Sequence, residues 1–168
     1  MTQTISFANL NIEITQSDLE VVYRFKGDVD ENFRHQDVPR LKCPSIVLEL
    51  AEVNNFNSCG IREWIYLMRD IGALGNLKFR RCSVSMIDQI NMVPDSLGGG
   101  QIESFFAPYY CPTDGETNQL INVKEHSNSL TNREAPNCNC PKCGTKLDFD
   151  ALEESYFLFA DQAVKAAS

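Results

Sequence analysis

The segment from Ile46 to Gly72 constrains the fold most, because it combines a buried strand, a polar turn and an amphipathic helix. Residues 46–50 form an uninterrupted apolar run, which is typical of a strand covered on both faces. Apolar residues then recur at helical spacing, and Gly72 suits the end of that helix. These residues are Ile61, Trp64, Ile65, Met68 and Ile71. A strand that leads into a helix predicts crossover connections and part of a parallel sheet.

The segments before this unit predict further strands. Residues 5–14 alternate between apolar and polar, but Asn9 breaks the rhythm, so they predict either two short strands or one bulged strand. Residues 19–26 predict the next strand, and Gly27–Asp30 predicts a turn after it. Residues 31–44 are polar and contain two prolines, which indicates a loop with one helical turn.

The segments after this unit complete the expected domain. Strands are expected over residues 77–82 and 102–109, with a short helix over residues 85–92 between them. Residues 1–109 thus indicate an α/β domain in which a central mixed sheet is flanked by helices.

The remaining residues differ in kind from the first 109. Residues 110–150 are rich in Cys, Pro, Asn, Asp and Gly and poor in large apolar side chains, so they need another source of stability. Residues 151–168 then predict a C-terminal helix that packs back on the main domain. Asp150 and Glu153 have the spacing of a capping box at its start. Its expected apolar stripe contains Leu152, Tyr156, Phe159 and Ala163.

Two short cysteine motifs predict a zinc-ribbon-like insertion in residues 110–150. Cys140 and Cys143 have the spacing of a zinc knuckle, and Gly144 permits the tight turn behind them. Upstream, residues 111–115 repeat the same Cys-Pro-x-x-Gly frame, with Asp114 at the place of the second cysteine. Such a site favours a structural zinc ion, because a catalytic zinc needs an open position and a nearby base.

Two ligand sets are consistent with this spacing. One set is Cys111, Cys138, Cys140 and Cys143, which the softness of four thiolates favours. The other set replaces Cys138 with Asp114, which the symmetry of the two frames favours, since carboxylate is an acceptable but harder zinc ligand.

Charge and cysteine content restrict the partners and the compartment. The net charge of −8 argues against general affinity for nucleic acid or anionic membranes. The one dense basic group, Lys78, Arg80 and Arg81, is expected to line a strand edge. No apolar run approaches the roughly 20 residues that cross a bilayer, and residues 1–10 lack the pattern of a signal peptide. Seven cysteines, an odd number, favour a metal site in a reducing cytoplasm over a disulfide framework.

Two short motifs resemble those of STAS domains of the anti-sigma factor antagonist type. Gly27-Asp28-Val29-Asp30 is similar to the G-[ED]-[IV]-D motif that follows the second strand of that family. Asn57-Ser58-Cys59-Gly60 is similar to the family's D-S-[ST]-G motif at the start of a helix, with Asn in place of Asp and Cys in place of Ser or Thr. The resemblance covers roughly residues 3–108.

This resemblance implies a non-enzymatic module that switches partners. Ser58 would be the residue that a kinase-type anti-sigma factor phosphorylates and a phosphatase restores. Asp28 and Asp30 would lie near the same surface, together with Asn57, Cys59 and Gly60. A phosphate at a helix start is favoured by the helix dipole, yet on a contact surface it opposes binding.

Other interpretations remain open at this stage. Ser58 is also a suitable helix cap, which is a common structural role of serine. A zinc-ribbon module that binds nucleic acid or a transcription complex is the alternative function, although the insertion has few basic and aromatic residues. Cys59 at a helix start suggests a nucleophile, but no partner base is evident in the sequence. The sequence also leaves open a homodimer.

Overall fold

A six-stranded mixed sheet forms the larger layer of the structure, a computed structural model that describes residues 1–167 and the side chains of residues 1–164. The strands lie side by side in chain order, antiparallel from the first to the third and parallel from the third to the sixth. They are β1 (Thr2–Ser6), β2 (Leu10–Gln16), β3 (Glu20–Val29), β4 (Ser45–Phe56), β5 (Asn76–Arg80) and β6 (Gln101–Ile102). The predicted α/β class with a mixed sheet flanked by helices is confirmed.

Two helices make two of the three crossovers between the parallel strands, and a loop makes the crossover from β3 to β4. Helix α1 (Ser58–Gly72) joins β4 to β5, and helix α2 (Val84–Met92) joins β5 to β6. In the apolar stripe of α1, Trp64, Met68 and Ile71 are buried, and Ile61 and Ile65 are half-buried. Trp64 packs edge-on against Phe25 of the sheet. Each large apolar side chain buried in this way contributes about 1.5–3 kcal/mol to folding.

The first strands differ in detail from the sequence expectations. β1 and β2 form a hairpin, which decides for two strands over one bulged strand. β3 continues to Val29, so the turn predicted over Gly27–Asp30 is wrong. Gly27 remains in the strand at a register shift with a φ of +119°, and a Cβ there would overlap the backbone carbonyl of Asn9. The loop before β4 contains one 3₁₀ turn, His35–Asp37, as expected.

A second sheet begins directly after β6. It contains β7 (Ser104–Cys111), β8 (Gly115–Asn122) and β9 (Asp148–Phe149), antiparallel with β7 in the centre. The strand expected over residues 102–109 is therefore divided between two sheets. Phe105, Ala107 and Tyr109 are buried in a core that is continuous with that of the larger layer.

The C-terminal segment packs on the rest of the fold, but its start is not the predicted one. The insertion contains one short helix, α3 (Ser127–Thr131). The C-terminal segment contains α4 (Glu153–Tyr156), a 3₁₀ turn (Phe157–Phe159) and α5 (Ala160–Ala167). The capping box is wrong, because Leu152 occupies the cap position and Glu153 accepts a hydrogen bond from the Ala135 backbone instead. Tyr156, Phe159 and Ala163 are buried, as predicted. Leu152 is exposed, because it lies before the first turn of α4 with an extended backbone. Ser168, the last residue of the predicted segment, lies outside the described residues.

Candidate functional site

Asn57 caps helix α1 at the carboxyl ends of β3 and β4. Its backbone is extended, and its side-chain oxygen accepts a hydrogen bond of 2.8 Å from the backbone N–H of Gly60. Gly60 itself lies so close to β3 that a Cβ would overlap the carbonyl group of Val29. The cap and the glycine together hold the start of the helix against the end of the strand.

Ser58 is consequently the first residue of the helix and does not cap it. The sequence made Ser58 a candidate for the helix cap, but in the structure Asn57 is the cap. Ser58 and Cys59 are both exposed, and within the described residues the Ser58 hydroxyl makes no hydrogen bond. A hydroxyl at this place is accessible to a modifying enzyme, and the free N–H groups of the first turn favour a negative charge beside it.

Acidic residues lie at and just after the end of β3, and one of them, Glu31, contacts the cap of this helix. Asn57 donates a side-chain hydrogen bond of 2.5 Å to Glu31, and Asn9 donates one of 2.7 Å to Asp30. Asn9 and the backbone N–H of Asn32 hold the pKa of the Asp30 carboxyl below its ordinary value. We call Asp28, Asp30, Glu31, Asn57 and Ser58 the helix-start rim.

The rim contains most of the residues that the sequence motifs singled out, and one that they missed. Asp28 accepts a hydrogen bond of 3.2 Å from the Asn55 side chain, so the two predicted aspartates are both anchored by asparagines. Glu31 was missed because it follows the Gly-Asp-Val-Asp motif, and only its contact with Asn57 ties it to the helix.

A second cluster gathers Cys111, Asp114, Cys140 and Cys143. One potential ligand atom from each of these residues lies within 4.8 Å of the others, so the group is close enough to hold a metal ion. Cys111 Sγ lies 3.5 Å from Cys143 Sγ, and Cys140 Sγ lies 3.2 Å from Asp114 Oδ2. Cys111 and Cys140 are buried, while Asp114 and Cys143 are exposed. One side of the cluster therefore faces the core and the other faces solvent.

The structure brings together the four residues of the set that contains Asp114, and Cys138 is not in that group. Cys138 instead neighbours the phenol of Tyr109, whose pKa is raised by burial and by that thiol. The softness of four thiolates favours Cys138 as a ligand, but softness takes no account of where the chain places this residue. Cys138 lies in a short hairpin, in which its backbone carbonyl accepts a hydrogen bond from the Leu147 N–H.

The two cysteine frames form matching turns. Gly115 and Gly144 both have left-handed backbones, with φ of +87° and +76°, and no atom would obstruct a Cβ at either position. Each turn places a cysteine and the residue three positions later on the same side of the chain. The two turns face each other, which brings residues 111 and 114 together with residues 140 and 143.

The spacing of these atoms fits a tetrahedral ion. A zinc–sulfur bond of about 2.3 Å implies sulfur atoms roughly 3.8 Å apart, close to the Cys111–Cys143 separation of 3.5 Å. The thiols of Cys143 and Cys140 hold the pKa of the Asp114 carboxyl below its ordinary value. The hydrogen bond with Thr145 lowers the pKa of Cys143, which favours the thiolate that a metal requires.

The basic residues expected at a strand edge are paired with acidic ones. Lys78 and Arg80 both contact Glu103, and Arg81 lies 3.7 Å from Glu49. The three cations are thus neutralised within the fold and do not form a continuous basic surface for phosphates.

Comparisons of the chain with protein-family models, curated proteins and solved structures gave no match. Among the described residues, none of the helices has both the length and the apolar character needed to cross a bilayer.

Proposed function

We propose that this protein is a regulatory module without catalytic activity, which binds a protein partner through the helix-start rim and is switched by phosphorylation of Ser58. One observation carries this proposal. The Ser58 hydroxyl is exposed at the first residue of α1 and is not used for capping, because Asn57 caps the helix. The hydroxyl is therefore available for a regulatory role.

The charge of the rim explains how a phosphate would act. A phosphoserine would add nearly two negative charges next to Asn57, which already contacts Glu31, with Asp28 and Asp30 at the end of the adjacent strand. The first turn of α1 stabilises these charges by about 0.3–1 kcal/mol, so the helix would remain folded. A partner that contacts the rim would then have to desolvate the phosphate and the neighbouring carboxylates. Modification would thus release the partner without unfolding the module.

The resemblance to anti-sigma factor antagonists supports a kinase-type anti-sigma factor as the partner. In such a pair the partner is also the kinase, so recognition and modification would occur at the same serine. The cysteines are all free thiols, which is compatible with a reducing compartment such as the cytoplasm.

The test compares phosphorylation and binding in matched variants. The protein is incubated with ATP and each kinase-type anti-sigma factor of its source genome, and the phosphorylated residue is mapped by mass spectrometry. We expect one phosphate on Ser58 and none in Ser58→Ala. Ser127→Ala, which changes another serine at a helix start, is the control and is expected to be phosphorylated like the wild type.

Binding to the same kinase is measured by titration calorimetry. Ser58→Asp is expected to bind at least about tenfold more weakly than the wild type, whereas Ser127→Asp binds equally well. Phosphate on a different residue, or equal binding by Ser58→Asp and the wild type, would contradict the proposed switch.

We also propose that Cys111, Asp114, Cys140 and Cys143 hold a zinc ion with a structural role. Three thiolates and one carboxylate are within zinc's range of ligands, and the cluster joins the two turns of a segment with few large apolar residues. The zinc would stabilise the insertion without contacting the rim residues. Lys78, Arg80 and Arg81 are paired with acidic side chains, so this basic group does not support a nucleic-acid function.

A further inference from the structure

An open apolar groove lies between α2 and the C-terminal segment. Its volume is about 570 Å³, and it is lined by Asp88, Met92, Leu152, Tyr156 and Leu158 among others. Met92 is 71% exposed and Leu152 is 77% exposed, although both are large apolar residues. Such side chains grouped in one concave surface are characteristic of a binding site for another molecule.

The two walls of this groove are held together by hydrogen bonds. The Asn91 side chain donates to the Tyr156 carbonyl at 2.8 Å and accepts from the Phe159 backbone N–H at 2.9 Å. The Tyr156 hydroxyl donates to the Phe106 carbonyl at 2.6 Å. The groove is therefore preformed, and a ligand would not have to order its walls on binding.

Asp88 gives the groove a charge preference. Among the described residues, no hydrogen bond or ion pair engages its carboxylate, and desolvation by its surroundings raises its pKa. It lies near enough to Tyr156 to raise the pKa of that phenol as well, after the larger effect of burial. A cation beside Asp88 would favour the charged form of this carboxyl and so offset its desolvation.

Charge disfavours a second copy of this chain as the occupant of the groove. In a symmetric dimer built on this surface, both Asp88 carboxylates would enter one interface. Each copy also carries a net charge of −8, which opposes self-association. The charge of the groove thus favours a basic partner over a second acidic copy.

We propose that this groove binds an amphipathic helix of another protein. The apolar side chains of that helix would contact Met92 and Leu152, and one of its Lys or Arg side chains would lie beside Asp88. Helix-in-groove binding needs an apolar cleft that receives anchors at helical spacing, and the exposed side chains of Met92, Leu152 and Leu158 provide apolar contacts for such anchors. The surface shares no residue with the helix-start rim, so this inference does not depend on Ser58.

The probes are two synthetic amphipathic peptides of about 18 residues, or five helical turns, with the same leucine face. One carries a lysine beside the leucines and the other carries a glutamate at the same place. Binding is measured by fluorescence anisotropy, and ¹³C-methyl NMR of the methionines and leucines locates the peptide. We expect saturable binding of the lysine peptide, shifts of the Met92 and Leu152 methyls, and at least about threefold weaker binding of the glutamate peptide.

Variants test the anchors and the charge separately. The double variant Met92→Ser, Leu152→Ser is expected to bind the lysine peptide at least about tenfold more weakly than the wild type. Leu19→Ser, which alters a similarly exposed leucine elsewhere, is expected to bind it as the wild type does. Asp88→Lys is expected to reverse the preference between the peptides. Because these side chains are exposed, the variants keep the wild-type thermal unfolding, which is measured as a control.

Several outcomes would overturn this inference. These are equal binding of both peptides, binding that survives loss of both anchors, and no binding of the lysine peptide. Sedimentation that shows a dimer dissociated by Leu152→Ser would assign the groove to a second copy. Binding to phosphatidylcholine vesicles that is lost in the same variant would assign it to a lipid surface.

Discussion

The side-chain oxygen of Asn57 accepts the backbone N–H of Gly60 at 2.8 Å, and this contact leaves the adjacent Ser58 hydroxyl without a structural task. Two neighbouring residues thus have separate roles at one helix start. The asparagine satisfies the unpaired backbone group, and the serine faces solvent.

This division of roles predicts different stabilities for two alanine variants. Asn57→Ala loses the cap and is expected to lower the free energy of unfolding by about 1 kcal/mol. Ser58→Ala removes only an exposed hydroxyl and is expected to change it by less than about 0.5 kcal/mol. Urea denaturation followed by circular dichroism measures both. A larger loss in Ser58→Ala than in Asn57→Ala would assign the cap to the serine.

Gly60 is predicted to tolerate no side chain. The Cβ of Gly60→Ala would overlap the Val29 carbonyl, so the start of α1 has to move away from β3. We expect a loss of about 1–3 kcal/mol in the free energy of unfolding. The control is Gly72→Ala at the other end of the helix, where the nearest atom to the new Cβ is 3.3 Å away. There the higher helix propensity of alanine opposes the close contact, and we expect a change of at most about 1 kcal/mol in the free energy of unfolding. Equal losses in the two variants would mean that α1 does not approach β3 closely.

The contact between His35 and Glu63 predicts a dependence of stability on pH. Glu63 accepts hydrogen bonds from the His35 backbone and from the His35 ring, the latter at 2.6 Å. Although burial opposes its ionisation, these hydrogen bonds keep the pKa of Glu63 below its ordinary value. A carboxyl whose pKa is lower in the folded state stabilises the fold above its unfolded pKa of about 4.3. That stabilisation is lost as the pH falls through the lower, folded pKa.

The measurement is the free energy of unfolding between neutral and acidic pH. In Glu63→Gln we expect lower stability at neutral pH and a shallower decline in acid than in the wild type. Glu125→Gln, which alters an exposed carboxylate, is expected to keep the wild-type decline. If Glu63→Gln and the wild type decline in parallel, the ionisation of Glu63 does not contribute to folding.

The cysteine cluster predicts which substitutions abolish metal binding. The purified protein is expected to contain one zinc ion per chain, measured by atomic emission after exhaustive dialysis. Cys140→Ser is expected to lose the metal, and Asp114→Ala to bind it more weakly. Cys138→Ser is the matched control, since this cysteine lies outside the cluster, and it is expected to retain the full amount. If Cys138→Ser loses zinc and Asp114→Ala retains it, the ligands are the four thiolates and not Asp114.

Chelation is expected to act on the insertion more than on the larger sheet. A metal ion that joins the two cysteine turns replaces the apolar contacts that residues 110–150 lack. Proteolysis after treatment with a chelator should therefore cut first within residues 112–146. Trp64 should keep its fluorescence, because it is fully buried between α1 and the larger sheet. If the chelator changes the Trp64 fluorescence at the same time as it exposes the insertion to the protease, the metal stabilises the whole chain.

Local patterns were sufficient to predict the elements that depend on neighbouring residues. The periodicity of α1 predicted its buried face, and the two Cys-Pro-x-x-Gly frames predicted the glycine turns. Both follow from contacts within a few positions along the chain. The capping box predicted at Asp150 is wrong because it depends on a distant part of the chain. The Glu153 side chain accepts a hydrogen bond from the Ala135 backbone N–H, 18 positions away, and not from Asp150.

The amino-acid sequence by itself determined the α/β class, the position of the serine beside a helix start and the residue types available to a metal. Only the tertiary structure decided that Asp114 joins the cluster in place of Cys138, that β7 leaves the main sheet, and that Leu152 lines an open groove. Periodicity and turn chemistry act over a few residues, and every chain with this pattern shares them. The choice between Asp114 and Cys138 depends on how two hairpins from distant parts of the chain meet, and that arrangement is determined by packing of the whole core.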